Sequence, residues 1–402
     1  MTSSSYSSNQ NTPIKPVLTK NLVMFFAFCC GAIVSNIYYS QPLIELIAPE
    51  IGLTDSVASL IVSLTQAGYA LGMLLLVPLG DLLENRKLMV STLIVAMVSL
   101  VGAATAHSPN VFLLFSILIG FSSVSVQMIV PLAAHMADES TRGRVVGSVM
   151  SGLLFGILLS RPIASLIADH FGWRAVFLMA SVLMVLIVVL LLVTMPKRQP
   201  AHSATYFQLL RSLLTLFRHQ PVLRQRAFYQ ASMFGSMALF WTVAPVELAR
   251  HFSFSQTQIA LFALVGAAGA FAAPFAGRLA DAGHGRIGSL MAMIGAILSF
   301  WPSLMIPALG VIGLGITAVL LDLCVQISMV IGQREVYALD PASRSRINSI
   351  YMTCIFAGGA TGSGIGSSLY VNGGWMWVGT VGSLIASIAL MKFLFDQRKS
   401  RS

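Results

Sequence analysis

Charge is what this chain has least of: only 9% of its 402 residues are Asp, Glu, Lys or Arg. Soluble domains carry about 25%, so an ordinary water-soluble fold is excluded. Clustered histidine is missing too. The seven histidines are scattered at 107, 135, 170, 202, 219, 251 and 284, and none recurs beside a carboxylate at a useful spacing. An integral membrane enzyme would need such a group, or a nucleophile with its base, near one membrane face. No Walker-type phosphate loop occurs, which argues against ATP-driven pumping by this chain. No selectivity-filter-like loop is visible, which argues against a channel. The four cysteines, Cys29, Cys30, Cys324 and Cys354, have no zinc-like spacing, and the adjacent pair suits neither a staple nor a redox couple. Buried free thiols are expected, with no metal and no cofactor.

What fills the chain instead is apolar: 56% of it is hydrophobic, and the mean hydropathy is +0.83. The apolar residues fall into twelve segments, at 22–44, 57–79, 88–106, 111–135, 144–168, 174–195, 226–248, 256–277, 287–305, 306–331, 346–370 and 375–394. Each is near the ~20 residues that cross ~30 Å of hydrocarbon. The ninth and tenth are divided on Pro302 and Pro307. The expectation is an all-α polytopic membrane protein with twelve transmembrane helices.

A net charge of +10 is common among nucleic-acid binders, but its placement here is not theirs. Lys and Arg sit in the short loops of one side, among them Arg86, Lys87, Arg142, Arg144, Arg344 and Arg346. The other side holds Arg174 and Arg250. Under the positive-inside rule both termini are cytoplasmic and the number of spans is even.

The longest internal loop separates six spans from six. The expected organisation is a disordered cytoplasmic tail at 1–21, an N-terminal six-helix bundle at 22–195, a central cytoplasmic loop at 196–225, a C-terminal six-helix bundle at 226–394 and a tail at 395–402. Within the central loop, Phe207, Leu210, Leu213, Leu214 and Phe217 recur at helical spacing with Arg211 and Arg218 among them. This predicts an amphipathic helix on the inner leaflet, with a plain tether between bundles equally compatible.

The two sixes repeat a motif. Span two ends in Gly80, Asp81, Glu84, Arg86 and Lys87. Span eight ends in Gly277, Arg278, Asp281, Gly283 and Arg286. In each, a Gly is followed four residues on by an acid and then by a basic turn. Here the chain resembles the major facilitator superfamily, whose loop between spans two and three has this pattern. The Gly80 copy lacks the inner Gly and is shorter. That resemblance implies two six-helix bundles around a central cavity, with spans one, four, seven and ten lining it and the halves rocking to alternate access.

Two charges stand deep in apolar segments, Arg161 and Asp322. Such residues commonly mark an ion or substrate route, because a charge at mid-bilayer costs roughly 2.5–3.5 kcal/mol on the lenient scale. Span five carries Gly152, Gly156, Ser160 and Arg161. It resembles the Gly-rich fifth span of the proton-driven drug antiporters, with Ser160 and Arg161 standing where that pattern has Gly and Pro. Span four has Ser116 four residues before Gly120, where many antiporters carry Arg. Asp322, Gln326 and Gln333 share one helical face of span ten. A carboxylate there can take up and release a proton as its surroundings change, since burial favours the neutral form and a nearby cation the charged one. A static polar cluster is the competing reading. Arg161 is expected toward the outer half of its span, where its long side chain can snorkel.

Asn36, Tyr39 and Gln41 of span one, Gln127 of span four, and Tyr229 and Trp241 of span seven complete the candidate pathway. Each alone is better explained as packing. Arg344 and Arg346 are topology anchors, or else pair with Glu84 as a gate. The expected function is proton-coupled efflux of small organic compounds by a monomer in the bacterial inner membrane, its partners the lipid bilayer, a small-molecule substrate and protons. Proton-coupled uptake of a nutrient is the alternative, and an integral membrane enzyme a remote one. Because Arg161 and Asp322 belong to different bundles, they are expected to act as separate charges rather than as one fixed pair.

Overall fold

The computed structural model describes residues 19–195, 205–266, 278, 282–340 and 343–399. Among the described residues every regular element is helical. The first half runs α1 (Lys20–Ser35), α2 (Ile44–Ile51), α3 (Leu60–Leu75), α4 (Asn85–Ala104), α5 (Pro109–Ser122), α6 (Val126–Met136), α7 (Arg142–Phe171) and α8 (Trp173–Thr194). The connecting helix is α9 (Tyr206–His219). The second half runs α10 (Pro221–Arg250), α11 (Gln256–Ala263), α12 (Gly285–Ser299), α13 (Trp301–Leu304), α14 (Ile306–Tyr337), α15 (Arg344–Gly364) and α16 (Gly366–Lys399).

Among the described residues, nine stretches are long and apolar enough to cross a membrane, and two shorter apolar helices, Lys20–Ser35 and Gln256–Gly266, stand at the first and eighth crossings. Helix α15, at the eleventh crossing, brings the number to twelve. It is rich in Ser, Thr and Gly because it faces protein rather than lipid: it packs along α10 on one side and α3 on the other. Lipid-facing helices show the opposite pattern. On α8, Leu178, Val182, Val185, Val189 and Val193 are exposed, an apolar surface too large for water.

Two features depart from a simple span count. The first crossing stops at Ser35, and the chain passes through turns at 36–40 before helix resumes. The ninth and tenth crossings meet at Met305. Gly310 (φ +52) and Gly374 (φ +60) then mark left-handed breaks in α14 and α16, a conformation that costs glycine little. The Gly374 break separates the last two crossings.

Small residues set the closest helix contacts. A Cβ on Gly152 would lie 2.2 Å from the Ala27 carbonyl oxygen, and one on Gly156 would lie 2.2 Å from that of Gly31. So α1 and α7 touch backbone to backbone. The second half repeats this. A Cβ on Gly358 would lie 2.2 Å from the Ala231 oxygen, and one on Gly362 would lie 2.0 Å from that of Gly235. Helices α10 and α15 therefore cross as α1 and α7 do. Small-residue pairs four apart permit such approach.

The halves meet along α3 and α15. Ser59 Oγ donates to the Gly364 carbonyl at 3.1 Å, Ser63 Oγ to that of Ala360 at 2.7 Å, Thr353 Oγ1 to that of Ala70 at 3.5 Å, and Ser349 Oγ to that of Met73 at 2.5 Å. At the face away from α9, charges join the halves. Arg250 donates from Nε to Glu45 at 2.6 Å and from Nη1 to Asp55 at 2.9 Å, and Thr257 donates to Asp169 at 2.5 Å.

Candidate functional site

The turn that ends α1 positions the first part of the site. With helix lost after Ser35, Tyr38 and Gln41 no longer follow helical spacing and both turn toward α7 and α10. Arg161, on α7 five residues beyond Gly156, reaches into the same space. Its Nε donates to Gln41 Oε1 at 2.7 Å. Its guanidinium carbon lies 5.1 Å from the Tyr38 ring centroid and 4.7 Å from that of Trp241. Arg161 is only 7% exposed, so it points inward and does not snorkel. Guanidinium–aromatic contacts strengthen once water is removed.

The second half supplies the rest. Trp241 Nε1 donates to Asp322 Oδ1 at 2.9 Å. One indole thus carries the cation of the first half and the carboxylate of the second. The two charges come from separate bundles and share one neighbour, because Arg161 of α7 and Asp322 of α14 both meet Trp241 of α10. Among the described residues no direct ion pair joins them; Trp241 stands between. Gly266 covers the site from the eighth crossing. A Cβ there would lie 2.6 Å from Trp241 Cζ2 and 2.9 Å from Asp322 Oδ2. Phe262 packs on the indole with centroids 6.2 Å apart.

The other candidates divide. Gln41 and Trp241 belong to this cluster. Gln326 is half-buried one turn along α14 from Asp322. Tyr39 is buried in the turn, but its neighbour Tyr38 is the tyrosine that meets Arg161. Asn36 donates to Met184 Sδ at 3.5 Å, inside the first half. Gln127 lies nearer the α9 face, where it donates to Tyr69 at 3.2 Å and accepts from Asn348 at 3.4 Å. Tyr337 donates to Asn348 at 2.6 Å, so this amide pair links the halves in a chain of its own. Tyr229 is outside the site. It donates to Asp396 at 2.6 Å, in a group where Arg226 pairs with Glu335 and Lys392 with Asp396. Tyr229 sits three turns from Trp241 along α10, too far to reach the indole.

The repeated loop motif behaves differently from a cross-half gate. Gly80 lies in the turn Val77–Asp81. Glu84 pairs with Lys87 at 3.5 Å, and Arg86 is half-buried beside them. Arg344 donates to the Tyr337 carbonyl at 3.1 Å, and Arg346 to Ser212 of α9 at 3.1 Å, so both have partners other than Glu84. Gly283 (φ +78) turns the chain into α12, where Arg286 is exposed. Gly277 and Asp281 lie outside the described residues.

A helical membrane protein with a buried cation and a half-buried carboxylate where its two halves join has the build of a transporter. Comparison with known proteins gives the family. The sequence model of the Major Facilitator Superfamily matches residues 23–333 and 226–402. The chain is 39% identical over 375 residues to the putative uncharacterized transporter YgaY of Escherichia coli, covering 93% of this chain and 95% of the relative. It is 30% identical to a probable transporter of Streptomyces coelicolor, covering 87% and 81%. Among solved structures it resembles a bacterial homolog of the human lysosomal transporter Spinster, inward-facing and unoccupied (TM-score 0.72, 14% identity, 94% and 96% covered). The nucleoside transporter NupG gives 0.73 at 13% identity, with 92% and 98% covered. The D-xylose-proton symporter gives 0.70 at 17%, with 93% and 95% covered. The chain belongs to the major facilitator superfamily. It is a transporter, not an enzyme, and its fold is the twelve-helix fold of that family.

Proposed function

We propose that the chain is a proton-coupled exporter of small organic compounds, working by alternating access as a monomer in the bacterial inner membrane, with both termini cytoplasmic. The observation that carries this reading is the Gln41–Arg161–Trp241–Asp322 cluster. Its cation belongs to one half and its carboxylate to the other, so rocking the halves changes what each charge faces. A proton on Asp322 removes one of the two charges and weakens the electrostatic tie between the halves. Loss of the proton restores it. Proton occupancy is thereby linked to the conformational equilibrium, which is what coupling requires. The excess of Lys and Arg at the α9 face supports the cytoplasmic orientation.

Gln326 extends the pathway along α14 from Asp322, and the Gln127–Asn348 pair stands on the cytoplasmic side. The motif residues Gly80, Glu84, Arg86 and Lys87, with Gly277, Asp281, Gly283 and Arg286, serve the cytoplasmic loops that move with each half.

Reconstituted protein under an imposed pH gradient tests the coupling. Substrate is expected to leave against its gradient as protons enter, and Asp322→Asn is expected to abolish proton-driven movement. Normal transport by that variant, with proton dependence intact, makes Asp322 structural. Co-directional flux of proton and substrate makes the protein an uptake symporter.

A further inference from the structure

We propose that the Arg161–Trp241–Asp322 cluster is a binding site for a zwitterion: a small molecule with an ammonium and a carboxylate close together on an apolar or aromatic body, as in a free aromatic amino acid. The inference deepens the exporter reading by naming its substrate class, and it rests on that reading for the transport step alone.

Three observations carry it. The first is unused hydrogen-bonding capacity. Asp322 spends Oδ1 on Trp241 Nε1 at 2.9 Å, and Arg161 spends Nε on Gln41 at 2.7 Å. Among the described residues, Asp322 Oδ2 and the two terminal guanidinium nitrogens have no hydrogen-bond partner. A guanidinium with both terminal nitrogens free is a bidentate receptor for carboxylate. A carboxylate with a free oxygen is a receptor for ammonium.

The second is charge balance. The cation and the carboxylate stand at one indole without touching, and together they are neutral. A ligand carrying one charge would neutralise one of them and leave the other unmatched away from bulk water, which is costly. A zwitterion matches both and keeps the net charge at zero. The third is shape. Arg161 lies over the rings of Tyr38 and Trp241, and Phe262 packs on the indole, so the charges stand among aromatic groups that suit an apolar ligand body. Gly266 packs close beside Oδ2: a Cβ there would lie 2.9 Å from that oxygen and obstruct it. The site thus spends its charges on a fixed dipole and its rings on an apolar group.

A series with one phenyl body tests this at pH 7 on the purified full chain: phenylalanine (both charges), phenethylamine (cation only) and 3-phenylpropionate (anion only), with binding read by isothermal calorimetry. Phenylalanine is expected to bind at least about tenfold tighter than either singly charged compound. Asp322→Asn is expected to erase its advantage over 3-phenylpropionate, and Arg161→Gln its advantage over phenethylamine. Asp322→Glu and Arg161→Lys keep the preference, which separates charge recognition from misfolding. Gly266→Ala is expected to weaken phenylalanine with no charge altered. Equal binding of the three compounds by the wild type overturns the proposal, as does binding by none of them. Calorimetry needs no proton gradient, so the two readings fail separately. Zwitterion preference without pH-driven flux sinks only the exporter, and pH-driven flux without the preference sinks only the zwitterion site.

Discussion

The two halves are alike where helices cross and unlike where chemistry happens. Ala27 and Gly31 meet Gly152 and Gly156 in the first half, and Ala231 and Gly235 meet Gly358 and Gly362 in the second, with matching close approaches. Follow each crossing outward and the resemblance stops. Five residues beyond Gly156 stands Arg161; five beyond Gly362 stands Ser367. Six beyond Gly235 stands Trp241; six beyond Gly31 stands Ile37. Ser367 accepts from the Ser59 amide at 2.8 Å, and Ile37 is fully buried. The scaffold is duplicated and the site is not. A rocking mechanism needs two matched levers, whereas a charged site needs one cation and one anion and gains nothing from a second pair, which would only add buried charge.

The largest expected effect tests the unmatched part. Arg161→Gln is expected to lower proton-driven flux at least about tenfold, because it leaves Asp322 without its counter-charge. Ser367→Ala, at the equivalent place, is expected to change flux by less than about twofold, since it removes one ordinary hydrogen bond. Proteoliposome flux checks both, and equal losses would break the comparison. Next come the matched parts. Gly156→Ala and Gly362→Ala should each destabilise by about 1–3 kcal/mol through overpacking, seen as similar falls in thermal transition in detergent. A fall in one and none in the other would mean that the crossings are not equivalent.

A smaller effect concerns the far face. Arg250→Gln removes two ties between the halves whose charges are partly exposed, each worth at most about 1 kcal/mol. Spin-label distances across that face are expected to broaden modestly, and 1 M salt to mimic the variant. The smallest concerns Glu50, whose carboxyl the Arg174 hydrogen bond holds below its ordinary value. Its folded-state value is lowered, so the tie contributes above the unfolded value and is lost as pH falls through the folded one. Glu50→Gln should therefore shift the thermal transition slightly at neutral pH and not at all once the wild-type carboxyl is protonated.

Much of the fold was legible in the sequence, because apolar length and loop charge act locally. Segment count and the break between the ninth and tenth crossings followed from Pro302, Pro307 and runs near bilayer length. The second glycine pair, Gly358 and Gly362, was equally visible as a spacing of four in α15, and comparing the halves residue by residue would have found it. Of the site, Arg161, Asp322, Gln41 and Trp241 were legible one by one, but not the way they meet. Tyr39 was the natural choice while span one was taken as continuous helix; the turns at 36–40 reset the phase and turned Tyr38 to Arg161 instead. Tyr229 shares α10 with Trp241, but nothing local to the sequence reveals Asp396 as its partner. Nor could Arg161 and Asp322 be joined, since the indole between them sits on a third helix.

The seam between α3 and α15 has a mechanical consequence. Its four hydroxyl bonds all end on main-chain carbonyls, and on one face of a helix carbonyls recur about once a turn, roughly 5.4 Å of rise. A hydroxyl that leaves one oxygen meets an equivalent one a turn along, so the seam is expected to shift in steps, trading each bond for a like one. Such a seam would let the halves turn against each other while keeping most of its bonds.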